Sequence, residues 1–159
     1  MTASVRLLEV DDLLAAALRG EQAMPLRVAE GFPRPEDAEA LRAYDRGALS
    51  FLIVADGVVV GSCGTHGPPS VERIVELGWG LVAVARGRGV GSTAVRLLLD
   101  EVTRRFPSTS VVAHTEWSAA GDGLAADSVA SEAILGRLGF APDPAPTEPG
   151  YRAWRRAAP

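Results

Sequence analysis

Three glycines at alternate positions mark the part of this sequence with the clearest chemistry. The run from Leu81 to Ser92 reads LVAVARGRGVGS and passes from an apolar strand through a glycine loop into an apolar helix. Glycines let such a loop turn sharply and bring its backbone within hydrogen-bonding distance of a bulky anion. The unpaired N–H groups at the helix start attract that anion, and Arg86 and Arg88 add positive charge. The run predicts a site for a phosphate-bearing cofactor; the alternative is a flexible turn with two solvated arginines.

Two familiar phosphate-binding loops do not fit this glycine run. All 16 basic residues of the chain are arginines, so the lysine that a P-loop places on the phosphates is missing. Schiff-base chemistry on a lysine is excluded for the same reason. The dinucleotide-binding loop has the pattern G-x-G-x-x-G, whereas the glycines here are Gly87, Gly89 and Gly91. A dinucleotide-dependent oxidoreductase is therefore an alternative that the spacing disfavours.

Two segments resemble the GNAT family of N-acetyltransferases. Arg86 to Gly91 (RGRGVG) matches the family's R-x-x-G-x-G signature. Together with the preceding ELGWG run that begins at Glu76, it is similar to the subgroup that acetylates ribosomal-protein N-termini (RimJ/RimL-like). The block from Ser128 to Phe140 resembles the family's closing helix, which ends in Leu-Gly-Phe. The order of elements is similar over most of the chain, but the sharp match is confined to these two segments.

The resemblance implies acetyl-CoA as the co-substrate, no metal, and direct transfer of the acetyl group to a primary amine in a ternary complex. Backbone groups near Leu81, Val82 and Val84 would hold the pantetheine arm and the acetyl carbonyl, and N–H groups of Gly87 to Gly91 would hold the pyrophosphate. The residues that the resemblance places on the cofactor are Leu81, Val82, Val84, Arg86, Gly87, Arg88, Gly89, Val90, Gly91, Ser92 and Ser128.

The resemblance also implies an α+β (three-layer α/β) fold, in one domain over residues 1–159. A mixed, mostly antiparallel sheet of six or seven strands would be flanked by about four helices. Strand Val111–Trp117 should splay away from Arg73–Val84 and leave a wedge for the thioester.

Local patterns predict an Asp11 helix cap and a hairpin at Asp56-Gly57. The predicted strands are Val5–Val10, Phe51–Ala55, Val58–Ser62, Arg73–Val84, Ser110–Trp117 and Tyr151–Arg155, and the longer predicted helices are Pro35–Leu49, Gly89–Phe106 and Ser128–Gly139. The apolar pattern places Ala38 and Leu41 inward in the first of these helices and gives Val95, Leu98, Leu99 and Val102 a helical period in the second. A loop of small residues is predicted from Ser118 to Ala126.

Proton transfer is the second chemical requirement. A free amine of pKa ~10.4 is almost wholly protonated at neutral pH, so a base assists its acetylation. Glu76 is the candidate base, because it is the only charge within Ile74–Val84 and matches the glutamate that many relatives use through water. His114, with an ordinary pKa of ~6.5, shares a strand face with Glu116 and is the second candidate. The alternatives are a glutamate on a solvated strand face and a structural histidine.

The family's usual general acid is missing. Relatives commonly carry a tyrosine where Leu135 stands and an asparagine where Ser128 stands. The proton for the departing thiolate would come from Ser128, Ser131 or Tyr151, or the thiolate would leave unprotonated. A non-catalytic acyl-CoA-binding module of the same fold is therefore the leading alternative. It would bind the cofactor but show no amine-dependent release of thiol.

The composition of the chain limits the kinds of partner that it is expected to bind. The 159 residues are 47% hydrophobic and 23% charged, with a net charge of −4, which indicates a globular protein and disfavours nucleic acid or a membrane surface as partner. The lone Cys63 and the lack of an apolar leader favour the cytoplasm. A small-molecule amine or a protein N-terminus would be the acceptor, and the chain would be a monomer or a homodimer. Four acids in the second predicted helix and in the loop before it either attract the acceptor or form a solvated face: Glu30, Glu36, Asp37 and Glu39.

Overall fold

The computed structural model describes residues 2–116, 126–144 and 147–159. The predicted strand end at Trp117 and nearly all of the loop predicted from Ser118 to Ala126 lie outside these ranges. The strands are β1 (Val5–Glu9), β2 (Ser50–Ala55), β3 (Val58–Thr65), β4 (Ile74–Leu81), β5 (Ser110–Glu116), β6 (Ala141–Asp143) and β7 (Tyr151–Arg156). The helices are α1 (Asp12–Leu18), α2 (Pro35–Glu39), α3 (Leu41–Tyr44), α4 (Val90–Arg105) and α5 (Ala126–Arg137), and a single 3-10 turn covers Ala83–Ala85.

The strands form one sheet in the order β1-β2-β3-β4-β5-β7-β6. Only β4 and β5 run parallel among the paired strands that the structure describes, and the other pairs are antiparallel. The predicted α+β fold with a mixed, mostly antiparallel sheet is thus confirmed. The hairpin between β2 and β3 is confirmed too, since Asp56 and Gly57 have φ of 49° and 80°, as a two-residue hairpin turn needs.

Helix α4 packs across β1, β3 and β4 and closes one side of the core. Val75 and Leu77 of β4 are buried in the same core cluster. Because strand side chains alternate, Glu76, Gly78 and Gly80 lie on the opposite face of β4. The buried side chains of α4 recur with the predicted helical period, and they include Val95, Leu98, Leu99 and Val102.

Strands β4 and β5 separate halfway along their length. Their last paired residues are Leu77 and Ala113. Beyond that point β4 continues to pair with β3 as far as Leu81, and β5 continues to pair with β7 as far as Glu116. The two strands therefore diverge and open the wedge that the sequence predicts.

The helix predicted over Pro35–Leu49 is wrong in its extent and in its buried face. The segment forms two short helices, and Gly47, with φ of 83°, ends it before Leu49. Ala38, which the apolar pattern places inward, is exposed, whereas Asp37 is 1% exposed. The hydrophobic pattern fails here because Asp37 has hydrogen-bonding partners in the interior, described below.

The end of β4 and the presence of β6 also differ from prediction. Strand β4 ends at Leu81 rather than at Val84, because the N–H of Ala85 bonds the carbonyl of Val82 and starts the 3-10 turn. Strand β6 was not predicted, since Pro142 argues against a strand; at the edge of a sheet the missing N–H is tolerated.

None of the helices within the described ranges has the length and the apolar character needed to span a membrane.

Candidate active site

The predicted phosphate loop connects the 3-10 turn to α4. Gly87 and Gly89 have left-handed backbone, with φ of 71° and 76°, which favours glycine. Gly89 is the N-cap of α4 and has no side chain with which to cap it, and no other described side chain caps the N–H groups of the first turn. A Cβ built on either glycine meets no described atom within 4 Å. This open set of N–H groups at a helix start fits a pyrophosphate.

The other loop residues have distinct surroundings. Arg86 and Arg88 are exposed, and Nε of Arg86 donates to the Leu81 carbonyl at 3.1 Å, which ties the loop to the end of β4. Gly91 is buried, and a Cβ there would lie 3.1 Å from Cδ1 of Ile134 on α5. Gly91 thus allows α4 and α5 to approach each other, a packing role that the sequence did not reveal.

We expect Gly89→Ala to weaken CoA binding more than it weakens the fold, because its Cβ enters the open loop. Gly20→Ala is the matched control, since Gly20 has φ of 77° and an equally open Cβ position but follows α1. Each substitution should cost about 1 kcal/mol of folding free energy through the left-handed backbone. Calorimetry with CoA should separate the two variants. If both bind CoA as tightly as the wild type, the loop is only a turn.

Glu76 binds both histidines of the chain. Nδ1 of His114, from β5, lies 2.8 Å from Oε1 of Glu76. Nδ1 of His66, which follows β3, lies 3.2 Å from the same oxygen. The structure therefore brings together the two predicted residues, Glu76 and His114, and adds His66, which the sequence analysis missed.

The cluster shifts the pKa values of Glu76 and His66. Burial raises the pKa of Glu76, but the hydrogen bonds and charges of His66 and His114 outweigh it, so the pKa lies below its ordinary value. The hydrogen bond to Glu76 raises the pKa of His66, although burial and the charge of Arg46 oppose this. The Glu76 carboxylate is thus ionised at neutral pH, where it only accepts hydrogen bonds. Glu76 is a weaker base than a free glutamate, and His66 is a stronger base than a free histidine.

Two glycines of β4 leave space for side chains from other elements. A Cβ on Gly78 would lie 2.5 Å from Nε2 of His66, so the imidazole occupies the place of that side chain. The guanidinium group of Arg34 takes the same place above Gly80. Isolated glycines in a strand often mark such close approaches. The two glycines of the ELGWG run therefore indicate that other groups approach β4 closely. The structure identifies these groups as the side chains of His66 and Arg34.

Glu116 and Tyr151 stand opposite each other on β5 and β7. Glu116 shares a face with His114, as predicted, and lines the cleft described next. Tyr151 is exposed and lies on the strand beyond β5, so β5 separates its backbone from the wedge.

A cleft of about 720 Å³ lies between the α2–α3 segment and strands β3 and β4. His66 and Glu116 line it on the side of the wedge. Three of the four predicted acids, Glu36, Asp37 and Glu39, line it as well, whereas Glu30 is exposed elsewhere. The remaining charged residues of the lining are Arg34, Arg42 and Arg46. The cleft therefore has mixed charge, since arginines line it together with three of the four acids that the sequence analysis names.

Asp37 is committed to the fold and is not available to an acceptor. Its carboxylate accepts hydrogen bonds from the backbone N–H of Arg34 at 2.7 Å and from the Arg34 guanidinium at 2.6 and 3.1 Å. The hydroxyl group of Ser62 on β3 donates to it at 2.5 Å. These contacts fix α2 to β3 and hold Arg34 above Gly80.

The remaining candidates differ in their burial. Val82 is buried and Val84 exposed, Ser128 is buried in the first turn of α5, and Leu135 is fully buried. Burial raises the pKa of the Cys63 thiol, so this cleft-lining cysteine stays protonated. Among the described residues, no group of three or more histidine, cysteine, aspartate or glutamate side chains is placed to hold a metal ion.

Similar folds occur in solved acetyltransferase structures. RimL, the ribosomal L7/L12 alpha-N-protein acetyltransferase, in complex with coenzyme A superposes with a TM-score of 0.66 at 17% identity, over 98% of this chain and 94% of that one. The corresponding acetyltransferase from Salmonella typhimurium, which modifies the N-terminal serine of L7/L12, gives 0.65 at 17% identity, over 98% and 96%. The ribosomal-protein-alanine N-acetyltransferase from Brucella melitensis gives 0.60 at 19% identity, over 97% and 99%.

Sequence comparison identifies the family. A search of curated protein sequences finds no significant match. The family model for the acetyltransferase (GNAT) domain, however, matches residues 4–141, which contain the glycine loop, the Glu76 cluster and the wedge. This chain therefore belongs to the GNAT family and is an acetyltransferase.

Proposed function

We propose that this protein transfers an acetyl group from acetyl-CoA to a primary amine by direct attack in a ternary complex. The observation that carries the proposal is the position of the Glu76–His114–His66 cluster. Glu76 and His114 lie at the end of the β4–β5 pairing, where the two strands diverge, and His66 lines the cleft beside the α2–α3 segment. The cluster would therefore place a proton acceptor beside both the wedge and the acceptor cleft. We infer further that residues 1–159 act as one N-acetyltransferase domain in the cytoplasm.

The chain would hold the donor along β4 and the glycine loop. The N–H groups from Gly87 to Ser92 would bind the pyrophosphate, with Arg86 and Arg88 adding charge. The backbone from Leu81 to Val84 would face the pantetheine arm. Bound acetyl-CoA supplies the activated acetyl group as a thioester. Gly91 supports this site by letting α5 approach, and buried Ser128 would support it from the start of α5.

The cluster would remove the proton that the amine loses on acetylation. Glu76 is ionised and half-buried, and its second carboxylate oxygen can accept a hydrogen bond from the amine or from a water molecule. His114 lies just beyond the last β4–β5 pair and can bind Glu76 and the acceptor together. Tyr151 would be the candidate for proton donation to the thiolate, and its hydroxyl would have to cross β5 to reach the wedge.

The acceptor would be a primary amine on a molecule that fits the cleft. Binding pockets for small ligands are typically some 300–1,000 Å³, so the observed volume admits a small amine or the first residues of a peptide. The RimL structures are named for acetylating a ribosomal-protein N-terminus, which supports a protein N-terminus as one candidate. Glu36, Glu39 and Glu116 would contact a cationic acceptor, while Arg42 and Arg46 favour one that also carries a carboxylate or carbonyl group.

One observation favours a second candidate. Leu135 is fully buried and has no hydroxyl group at the place where relatives carry a tyrosine. A chain that lacks its general acid could serve as an acyl-CoA-binding module without turnover. Such a module would bind acetyl-CoA through the same loop but would release no thiol when an amine is added.

A thermal shift experiment examines the donor site. Since a ligand that binds only the folded state stabilises it by mass action, CoA at ~100 times its dissociation constant should add roughly 2.7 kcal/mol. We expect acetyl-CoA and CoA to raise Tm and NAD(P)H to leave it unchanged. A shift with NAD(P)H and none with CoA would contradict the donor assignment.

A thiol-release screen examines turnover. N-terminal peptides, polyamines, aminoglycosides and amino acids would each be added to the protein and acetyl-CoA, and free CoA would be measured. At least one class should release thiol above the background rate. Binding of CoA without release in any class would favour the non-catalytic module.

A further inference from the structure

The cluster fixes which nitrogen of each histidine carries a proton. Both imidazoles approach Oε1 of Glu76 through Nδ1. An ionised carboxylate has no proton to donate, so its oxygen favours a proton on each Nδ1 that lies beside it. In a neutral imidazole the other nitrogen, Nε2, then has a free lone pair. Glu76 therefore prepares Nε2 of both His66 and His114 to accept a proton.

The position of His66 distinguishes it from His114. Nε2 of His66 lies against the backbone of Gly78, the first residue of β4 beyond the last β4–β5 pair. His66 also lines the cleft, and 58% of its side chain is exposed, against 33% for His114. His66 thus lies between the point where β4 and β5 begin to diverge and the acceptor cleft.

We propose that Nε2 of His66 takes the proton from the acceptor amine, and that Glu76 acts as the positioning residue that holds the imidazole. The inference rests on the proposed function and assigns an atom within its cluster. The amine nitrogen bonds to the acetyl carbon, the bond from that carbon to sulfur breaks, and CoA leaves as the thiolate. The N–H proton moves to Nε2 of His66 and from there to solvent at the exposed edge of the ring.

The charges around His66 support this role. Nδ1 of His66 lies 3.2 Å from Oε1 of Glu76 on β4, and His114 from β5 contacts the same carboxylate oxygen. Arg46, which follows α3, donates to the backbone carbonyl of His66 at 3.4 Å and opposes protonation of the ring. Glu116 lines the same cleft. The net effect is a raised pKa for His66, so a proton taken from the amine is retained better than on a free imidazole.

His66→Ala is the direct test, with the best acceptor amine of the thiol-release screen. The turnover rate should fall by roughly 10²–10⁴, the usual contribution of a positioned base. Added imidazole should restore part of the rate in proportion to its concentration, because the substitution leaves a space above Gly78. The matched His114→Ala should lose less than about tenfold, since it leaves the His66–Glu76 contact in place. The wild-type turnover rate should fall at acid pH as the His66 imidazole becomes protonated, and the pH at which the rate falls should change in His66→Ala.

Gly78→Ala provides a second variant that keeps the histidine. Its Cβ would displace Nε2, so turnover should fall while CoA affinity is unchanged. A His66→Ala rate within threefold of wild type, or a loss that imidazole does not restore, would overturn the inference, as would a larger loss in His114→Ala. These outcomes presuppose that the wild type acetylates an amine. If no amine supports thiol release by the wild type, the proposed function itself fails.

Discussion

Glu76→Gln should lower the turnover rate by roughly 10²–10⁴ while leaving acetyl-CoA affinity nearly unchanged. Glutamine preserves the shape of the side chain but removes the charge that lies beside Nδ1 of His66 and raises the pKa of that ring. The loss should shrink as pH rises, because a larger share of the amine is then already neutral. Initial rates at saturating acetyl-CoA, measured from pH 6 to 9, would test both statements.

Glu72→Gln is the matched control for this substitution. Glu72 precedes the same strand, is exposed, and undergoes the same chemical change without contact to either histidine. Its rate should equal that of the wild type. If Glu76→Gln also keeps the wild-type rate, and His114→Ala and His66→Ala do as well, the amine loses its proton to solvent and the protein acts mainly by positioning the thioester.

Asp37→Ala should destabilise the protein strongly. Removal of one partner of a buried ion pair costs roughly 3–5 kcal/mol, and we expect about 3 kcal/mol because Arg34 is 19% exposed and can reach water. For a domain of this size the corresponding fall in Tm is roughly 6–12 °C. Urea denaturation and thermal unfolding would each measure the loss.

Glu36→Ala is the control on the same helix. Glu36 is exposed and adjacent to Asp37, so its removal should change the unfolding free energy by no more than about 0.5 kcal/mol. Equal stability of the two variants would mean that the contacts of Asp37 with Arg34 and Ser62 contribute little to the fold. A higher KM for the acceptor in Glu36→Ala, with unchanged stability, would instead indicate that Glu36 contacts the acceptor.

Features set by local sequence were predictable. The glycine loop, the Asp56-Gly57 hairpin and the Asp11 cap each depend on a few adjacent residues whose backbone preferences are strong. The side chain of Asp11 accepts the N–H of Leu14 at 2.8 Å, as expected for an N-cap. The proximity of Glu76 and His114 followed from placing their strands side by side, which the family resemblance implied.

His66 escaped prediction because its place depends on register between strands. Strand β3 continues to Thr65, beyond the predicted end at Ser62, and Thr65 pairs with Leu77. This pairing brings the N–H of His66 to the carbonyl of Glu76 at 2.9 Å, and Gly78 leaves room for the ring. No local pattern at residues 62–66 encodes that register, since the segment has too few apolar residues to mark a strand.

The buried carboxylate escaped prediction for a similar reason. Hydrophobic periodicity assigns acids to the solvent side of a helix, so Asp37 was placed in a solvated cluster. Its burial depends on Arg34 one turn earlier and on Ser62 from a distant strand. Only the tertiary structure brings these three groups together. Because Arg34 and Ser62 occupy the Asp37 carboxylate, this acid is not available to a cationic acceptor.

The most direct test of direct acetyl transfer to an amine is a stoichiometric incubation followed by mass spectrometry. The protein would be mixed with acetyl-CoA alone, and with acetyl-CoA and the best amine of the screen. We predict that CoA is released only when the amine is present, that each CoA released corresponds to one acetylated amine, and that the protein remains unmodified. Release of CoA without the amine, together with an acetylated protein, or binding of acetyl-CoA with no acetylated product, would contradict the account.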